Sequence, residues 1–231
     1  MLLNYGRKKM RSVKILVLSC DKYEDTFEGF HHCMEKFWPD HPEIIYQTET
    51  IKNPFYKTIN ADYPLKQWSR GTREVLRKID AEQILLMVCD CFIRRPVDVE
   101  RFKQASESLS GNIACLNFEK QFDYRDEETD VPGFKKRRRG SDFEVSIMCG
   151  LWDREKLINV LAIDGDPWDM ERAQNNCGYD YYINSGDYII DWGYVTHKGF
   201  GISNQLWYQE AVDFLESEGI HVDLNKRGIR P

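Results

Sequence analysis

A layered α/β sheet, with strands alternating with helices, is what this chain of 231 residues predicts. Residues 83–93, QILLMVCDCFI, contain five unbroken apolar residues before the first acid. Such a run fits a strand buried on both faces, as in a parallel sheet. Residues 65–79 before it place Leu65, Trp68, Thr72, Val75, Leu76 and Ile79 on one helical stripe. Residues 13–19, VKILVLS, and 113–118, IACLNF, repeat the apolar run on either side of it.

The elements follow in order. The strand 13–19 ends in Ser19-Cys20-Asp21. Asp25 or Thr26 can cap a helix carrying Phe27, Phe30, Met34 and Phe37 at helical spacing, and Trp38-Pro39 ends it. A short strand is expected at 44–48, then an irregular, aromatic-containing segment at 51–62. The helix from about 64 to 79 has Arg70, Arg73 and Arg77 on its polar face. After the central strand, Pro96 suits a first helical turn, Val99, Phe102, Ala105 and Leu109 make the stripe, and Gly111 stops it.

The pattern breaks at Glu119. From there to Phe143 the chain carries DEETD and then KKRRRG, opposite-sign blocks that predict a solvated, mobile loop. Strands are expected at 145–151 and 188–196. Asp153 caps a short helix, REKLINVL. Asp166-Pro167-Trp168-Asp169 is a strong helix start, with Asp at the cap, Pro at the first position and an acid at the third. A last helix is expected at 205–218, stopped by Gly219. No repeat and no linker is evident. The expectation is one domain, 1–231, with a nucleotide-binding half at about 13–118, the charged loop at 119–143 and a second half at about 144–231.

Composition narrows the function. A net charge of −6 argues against a general nucleic-acid binder. No apolar stretch approaches the roughly 20 residues of a membrane span. The first residues, MLLNYGRKKMR, lack the apolar core of a secretory signal. Seven cysteines, none in a C-x-x-C pair, read as reduced thiols of a cytoplasmic protein rather than as a zinc site. No G-x-G-x-x-G follows the first strand, which weighs against a dinucleotide-binding dehydrogenase or a methyltransferase.

Asp90 closes the central strand. A carboxylate there costs several kcal/mol to bury unpaired, so it is expected to reach solvent, a cation or a ligand, or to cap the following turn. In open α/β sheets ligands collect outside the carboxyl ends of the strands, where Asp90 and Asp21 both fall.

Four blocks together resemble a family of small bacterial glycosyltransferases of capsule or lipopolysaccharide synthesis. They are VLSCDKYEDTFEGF…KFWPD, WSR…LRKID-x-x-QILLMVCDCF, PWDME and AVDFLESEGIHVDLNKRGI. The resemblance covers nearly the whole chain and lies in the order and spacing of the blocks. It implies the GT-A type of nucleotide-sugar-binding fold and transfer of a sugar from a nucleoside-diphosphate sugar to a glycan or lipid-linked acceptor. It implies that Ser19, Cys20, Asp21 and Tyr23 line the base and ribose pocket, and that Trp68, Arg70, Asp90, Trp168 and Lys198 belong to the substrate site. It also implies a Mn²⁺ or Mg²⁺ ion held at Asp90. Here the family's acidic pair reads Cys89-Asp90, followed by Cys91, so metal binding is expected to be weakened or absent. Without metal, Arg70, Arg73 or Lys198 would neutralise the diphosphate, and His197 is a late ligand candidate.

Inverting transfer needs a base for the acceptor hydroxyl. The PWDME turn offers Asp169 and Glu171. Asp169 is placed to satisfy the helix's free amides, so Glu171 is the expected base, with Trp168 an apolar plate for a sugar ring. The alternative is a catalytically degenerate binder of nucleotide or glycan, motivated by Cys89. The basic run Lys135 to Arg139 is expected to meet an anionic acceptor or the cytoplasmic membrane face.

Overall fold

The computed structural model describes residues 11–119, 125–141, 143–172, 177–192 and 201–230. In chain order the strands are β1 (Val13–Leu18), β2 (Ile44–Thr48), β3 (Lys57–Asn60), β4 (Gln83–Val88), β5 (Ile113–Asn117), β6 (Glu127–Glu128), β7 (Phe134–Lys136), β8 (Gly150–Asp153), β9 (Asp180–Asn184), β10 (Ile202–Ser203) and β11 (Leu206–Trp207). The helices are α1 (Phe27–Phe37), α2 (Trp68–Arg77), α3 (Val99–Ser108), α4 (Arg154–Val160), α5 (Pro167–Arg172) and α6 (Gln209–Ser217).

Among the described residues nine strands form one sheet in the order β3-β2-β1-β4-β8-β5-β9-β7-β6. The strands β1 to β4 run parallel to one another, and β8 runs antiparallel between β4 and β5. Two antiparallel pairings in succession return β5 to the direction of β4, and β9 is parallel to β5. The carboxyl ends of β1, β4 and β5 therefore share one edge, and the entry to β8 lies on that edge too.

The apolar runs of β1 and β4 are buried on both faces, as expected, because helices cover both. Ile15, Val17, Leu85 and Met87 face α1, α3 and α6 through Phe30, Met34, Phe102, Ala105 and Leu215. Leu16, Leu18, Ile84 and Leu86 face α2, α4 and α5 through Val75, Leu76, Leu157 and Met170. The alternation is the two-residue period of a strand. Asp98 and Asp153 cap α3 and α4 by accepting the amides of Arg101 and Lys156, at 3.0 and 3.1 Å.

Four expectations are corrected. The segment 51–62, expected to be irregular, carries β3, which pairs in parallel with β2. The charged stretch is no loop over 127–136: it folds as the hairpin β6–β7, which extends the sheet beyond β9. Its register sets Glu127 opposite Lys136 and Glu128 opposite Lys135, so the two charge blocks are cross-strand partners. Lys135 meets Glu128 at 2.8 Å, Lys136 meets Asp180 at 2.9 Å and Arg137 lies 3.8 Å from Asp126. Much of the run expected to face an anionic surface is thus spent within the fold. The strand expected at 145–151 begins only at Gly150, because Ser146 and the Ile147 amide turn instead to Glu171. Of the strand expected at 188–196, residues 188–192 are irregular and 193–196 lie outside the described residues. The strand on the other side of β5 from β8 is β9, which sequence periodicity does not mark. Among the described residues no helix is long and apolar enough to cross a membrane, and no disulfide joins the cysteines.

Candidate active site at the carboxyl edge of the sheet

The first strand end is a tie between two loops. Asp21 accepts the amides of Thr50 at 3.0 Å, Glu49 at 3.1 Å and Ile51 at 3.3 Å, and the Thr50 hydroxyl at 2.5 Å. The Asp21 amide in turn donates to Glu49 Oε2 at 3.1 Å. Burial pushes the carboxyl up, but the bonds from Thr50, Ile51 and Glu49 outweigh it and hold it below the usual range. Asp21 is therefore occupied with the exit of β2. The Ser19 hydroxyl donates to the Cys20 carbonyl at 3.3 Å. Burial pushes the Cys20 thiol up, which keeps it neutral. Tyr23 is half-buried, and its phenol is pushed up to about 12 by burial and by the nearby Asp90 and Cys89.

The second strand end carries the buried acid. Asp90 is 6% exposed. Its Oδ2 accepts the Ile202 amide at 3.2 Å, and its carbonyl accepts the Gly201 amide at 2.8 Å. Gly201 is required there: a Cβ would stand 2.5 Å from the Phe92 ring and 3.0 Å from the Asp90 carbonyl oxygen. Burial raises the Asp90 carboxyl to about 6, against the opposing pull of the Ile202 amide, its own amide and the charge of Arg227. Cys89 and Cys91 are buried on either side. The Cys89 thiol lies with the Ser19 and Thr26 hydroxyls, within the core facing α1. An acid at position 89 would be buried beneath the first turn.

The C-terminal segment closes over this edge. Arg227, 8% exposed, donates to both oxygens of Asp25 at 2.8 Å and to the Lys22 carbonyl. Its guanidinium sits 4.7 Å from the centre of the Tyr23 ring. Lys226 pairs with Glu24 at 2.6 Å.

The third contributor is α5. Asp166 accepts the Asp169 amide at 2.7 Å, and Asp169 accepts the Asp166 amide at 3.1 Å, the reciprocal cap that the sequence predicts. Lys66 bridges both carboxylates at 2.8 and 2.9 Å, and its bonds are the main cause that holds both acids below the usual range. Glu171 points the other way and is 9% exposed. Its Oε1 accepts the Ser146 hydroxyl and the Ile147 amide, both at 3.2 Å. Burial raises it to about 7, with a smaller push from the charge of Glu119, which follows β5.

The remaining predicted residues scatter. Trp168 is 58% exposed on α5, placed as an open apolar plate. Trp68 is half-buried against the core under α2. Arg70 lies on the outer face of α2, 3.8 Å from Glu74 and 6.0 Å from the Tyr63 ring. Arg73 donates to the Leu161 carbonyl at 2.7 Å. The structure does not gather these two arginines at the strand ends, and Lys198 and His197 lie outside the described residues. Sequence reasoning missed Arg227 and Glu119. Glu119 had a signal, since it follows an apolar strand as Asp90 does; Arg227 sits in a polar tail with none.

Among the described residues no three His, Cys, Asp or Glu side chains converge to hold a metal. A divalent ion nevertheless fits one feature: Asp90 is a buried carboxylate whose described donors are two backbone amides, those of Ile202 and of Asp90 itself, and these with the charge of Arg227 do not offset its burial. Asp90 would be the protein's ligand to it.

No protein-family model matches the chain, and no curated protein matches it. Solved structures resemble it distantly. The bifunctional IspDF from Campylobacter jejuni is 13% identical with a TM-score of 0.44, over 76% of this chain and 50% of that one. A cytidylyltransferase from Leptospira borgpetersenii is 9% identical with a TM-score of 0.45, over 90% and 95%. S. aureus TarS is 11% identical with a TM-score of 0.49, over 78% and 36%. The chain thus spans half of IspDF and about a third of TarS.

Proposed function

We propose that this chain is an inverting glycosyltransferase that takes a sugar from a nucleoside diphosphate and gives it to a hydroxyl of a glycan or lipid-linked acceptor, in surface polysaccharide synthesis at the cytoplasmic side. One observation carries the reading. Two buried carboxylates, Asp90 and Glu171, stand at the same edge of the sheet, and burial raises both toward neutrality. Titratable groups perturbed in this way mark sites of chemistry, and ligands bind α/β sheets at this edge.

The roles divide by chemistry. Asp90, with Arg227 behind it, faces the diphosphate, and a Mg²⁺ or Mn²⁺ ion bound there would neutralise the leaving group. Cys20 and Tyr23 border the nucleoside, and Asp21 shapes that border through the turn at 49–51. Glu171 takes the acceptor's hydroxyl proton. The acceptor oxygen forms its bond to the anomeric carbon as the bond from that carbon to the β-phosphate oxygen breaks, and the electron pair leaves with the diphosphate. A base works best with a pKa near the operating pH, as Glu171 has. Asp169 is unsuited, because Lys66 and the Asp166 amide occupy its carboxylate. Trp168 offers its open face to a sugar ring. Cys89 does not argue for a degenerate binder, since its side chain belongs to the core.

The test is release of nucleoside diphosphate from a panel of UDP-, CDP- and GDP-linked sugars, with and without Mn²⁺. Turnover that Glu171→Gln removes supports the reading. Tight nucleotide binding with no turnover of any donor would mean a binding protein instead.

A further inference from the structure

We infer that Ser146 is the positioning residue of Glu171, turning one carboxylate oxygen inward and leaving the other for the acceptor. The inference rests on the reading of Glu171 as the base.

Hydrogen-bond direction carries the argument. A serine hydroxyl has one proton and two lone pairs. The Met148 amide donates to Ser146 Oγ at 3.3 Å, so the backbone occupies a lone pair. The hydroxyl proton is thereby left for Glu171 Oε1, 3.2 Å away. The Ile147 amide reaches the same oxygen, also at 3.2 Å. Both bonds fall on Oε1, and Oε2 carries neither.

The anchor sits among buried residues. Glu171 lies in the described part of α5, Pro167–Arg172. Val145, Ile147 and Cys149 are buried, and β8 begins at the next residue, Gly150. A Cβ on Gly150 would stand 2.8 Å from Cys115 Sγ, so the chain passes close against β5 there. Ser146 is thus held by buried neighbours that lead into β8, and it orients Glu171 in turn.

Charge explains why the donor is needed. Glu119 beyond β5 acts on Glu171 through its charge and favours the neutral acid. Asp169 on the same helix is turned to Lys66, Arg172 is exposed, and Cys149 is a buried thiol that burial keeps neutral. The two donors on Oε1 are what oppose burial and Glu119.

The test follows the carboxyl itself, in the full chain labelled with ¹³C at glutamate Cδ. Glu171→Gln assigns the signal, whose midpoint should lie at about 7 in the native chain, where burial places it. In Ser146→Ala the midpoint should rise by about one pH unit, a roughly tenfold smaller ionised fraction on the acid side. Ser146→Thr keeps a hydroxyl and should titrate like the native chain. Release of UDP from UDP-glucose and UDP-galactose gives the second readout. Its acid limb should move with the midpoint in Ser146→Ala, while the rate on the alkaline plateau changes less. An unmoved midpoint in Ser146→Ala overturns the positioning role. A moved midpoint with UDP release unaffected by Glu171→Gln instead removes Glu171 as the base, and the catalytic sense of the inference with it.

Discussion

Asp90→Asn should make the protein more stable at alkaline pH and leave it nearly unchanged in acid. In the folded chain the Asp90 carboxyl sits at about 6, raised from 3.8 by burial. A carboxyl raised on folding stabilises the fold as the neutral acid, fully below its unfolded value, and that stability is lost as pH rises through the folded value. The shift of about two units corresponds to at most about 3 kcal/mol near pH 8. An asparagine keeps an acceptor for the Ile202 amide but adds an NH₂ group, at a cost of about 1 kcal/mol if it finds no partner. The net gain near pH 8 is therefore about 1–2 kcal/mol, or about 2–8 °C in Tm for a chain of this size. Below about pH 4 the acid is neutral too, and the variant should match the native chain or fall about 1 kcal/mol short. Urea unfolding followed by circular dichroism at both pH values measures it. A variant that loses the same stability at both would refute the reasoning, because Asp90 would then be a satisfied structural carboxylate.

Glu171→Gln should lower sugar transfer by about 100-fold or more without changing the donor KM, and the native rate should fall as pH drops below about 7, where the base becomes protonated. Asp169→Asn should lower Tm by a few degrees at most and leave the transfer rate intact, since Lys66 and the helix cap are all it serves; calorimetry and the same assay separate the two effects. Arg227→Gln leaves the partly buried Asp25 without its cation, so urea unfolding should show a loss of about 1–3 kcal/mol. The Asp90 midpoint should rise in the same variant, because a positive neighbour has gone.

The sequence carried the inner sheet and the cap of α5 plainly, for physical reasons. Apolar runs fix β1, β4 and β5 because helices cover both faces, and Asp166 with Asp169 states its own hydrogen bonds. The residue parity of β4 also held information that goes beyond the motif. Leu85, Met87 and Cys89 fall in one core, so the side chain at position 89 packs under α1. The hairpin β6–β7 was illegible because its pairing is cross-strand: the acids and bases look like separate solvated blocks until the register joins them. Residues 145–149 read as a strand because they are buried and apolar, yet their backbone serves Glu171. Asp21 looked like a ligand contact by its place, whereas its bonds run to a loop some thirty residues away that no local pattern reveals. Arg227 reaches Asp25 and Tyr23 from the far end of the chain, and only the fold brings them together.

Calorimetric titration of UDP, CDP, ADP and GDP in the presence of Mn²⁺, into the native chain and Asp90→Asn, tests whether the edge formed by β1 and β4 is a nucleotide site. At least one diphosphate should bind the native chain, and the Mn²⁺-dependent part of that binding should vanish in Asp90→Asn, with circular dichroism checking that the variant is folded. No binding at millimolar concentration, or equal binding by the two proteins, would contradict it.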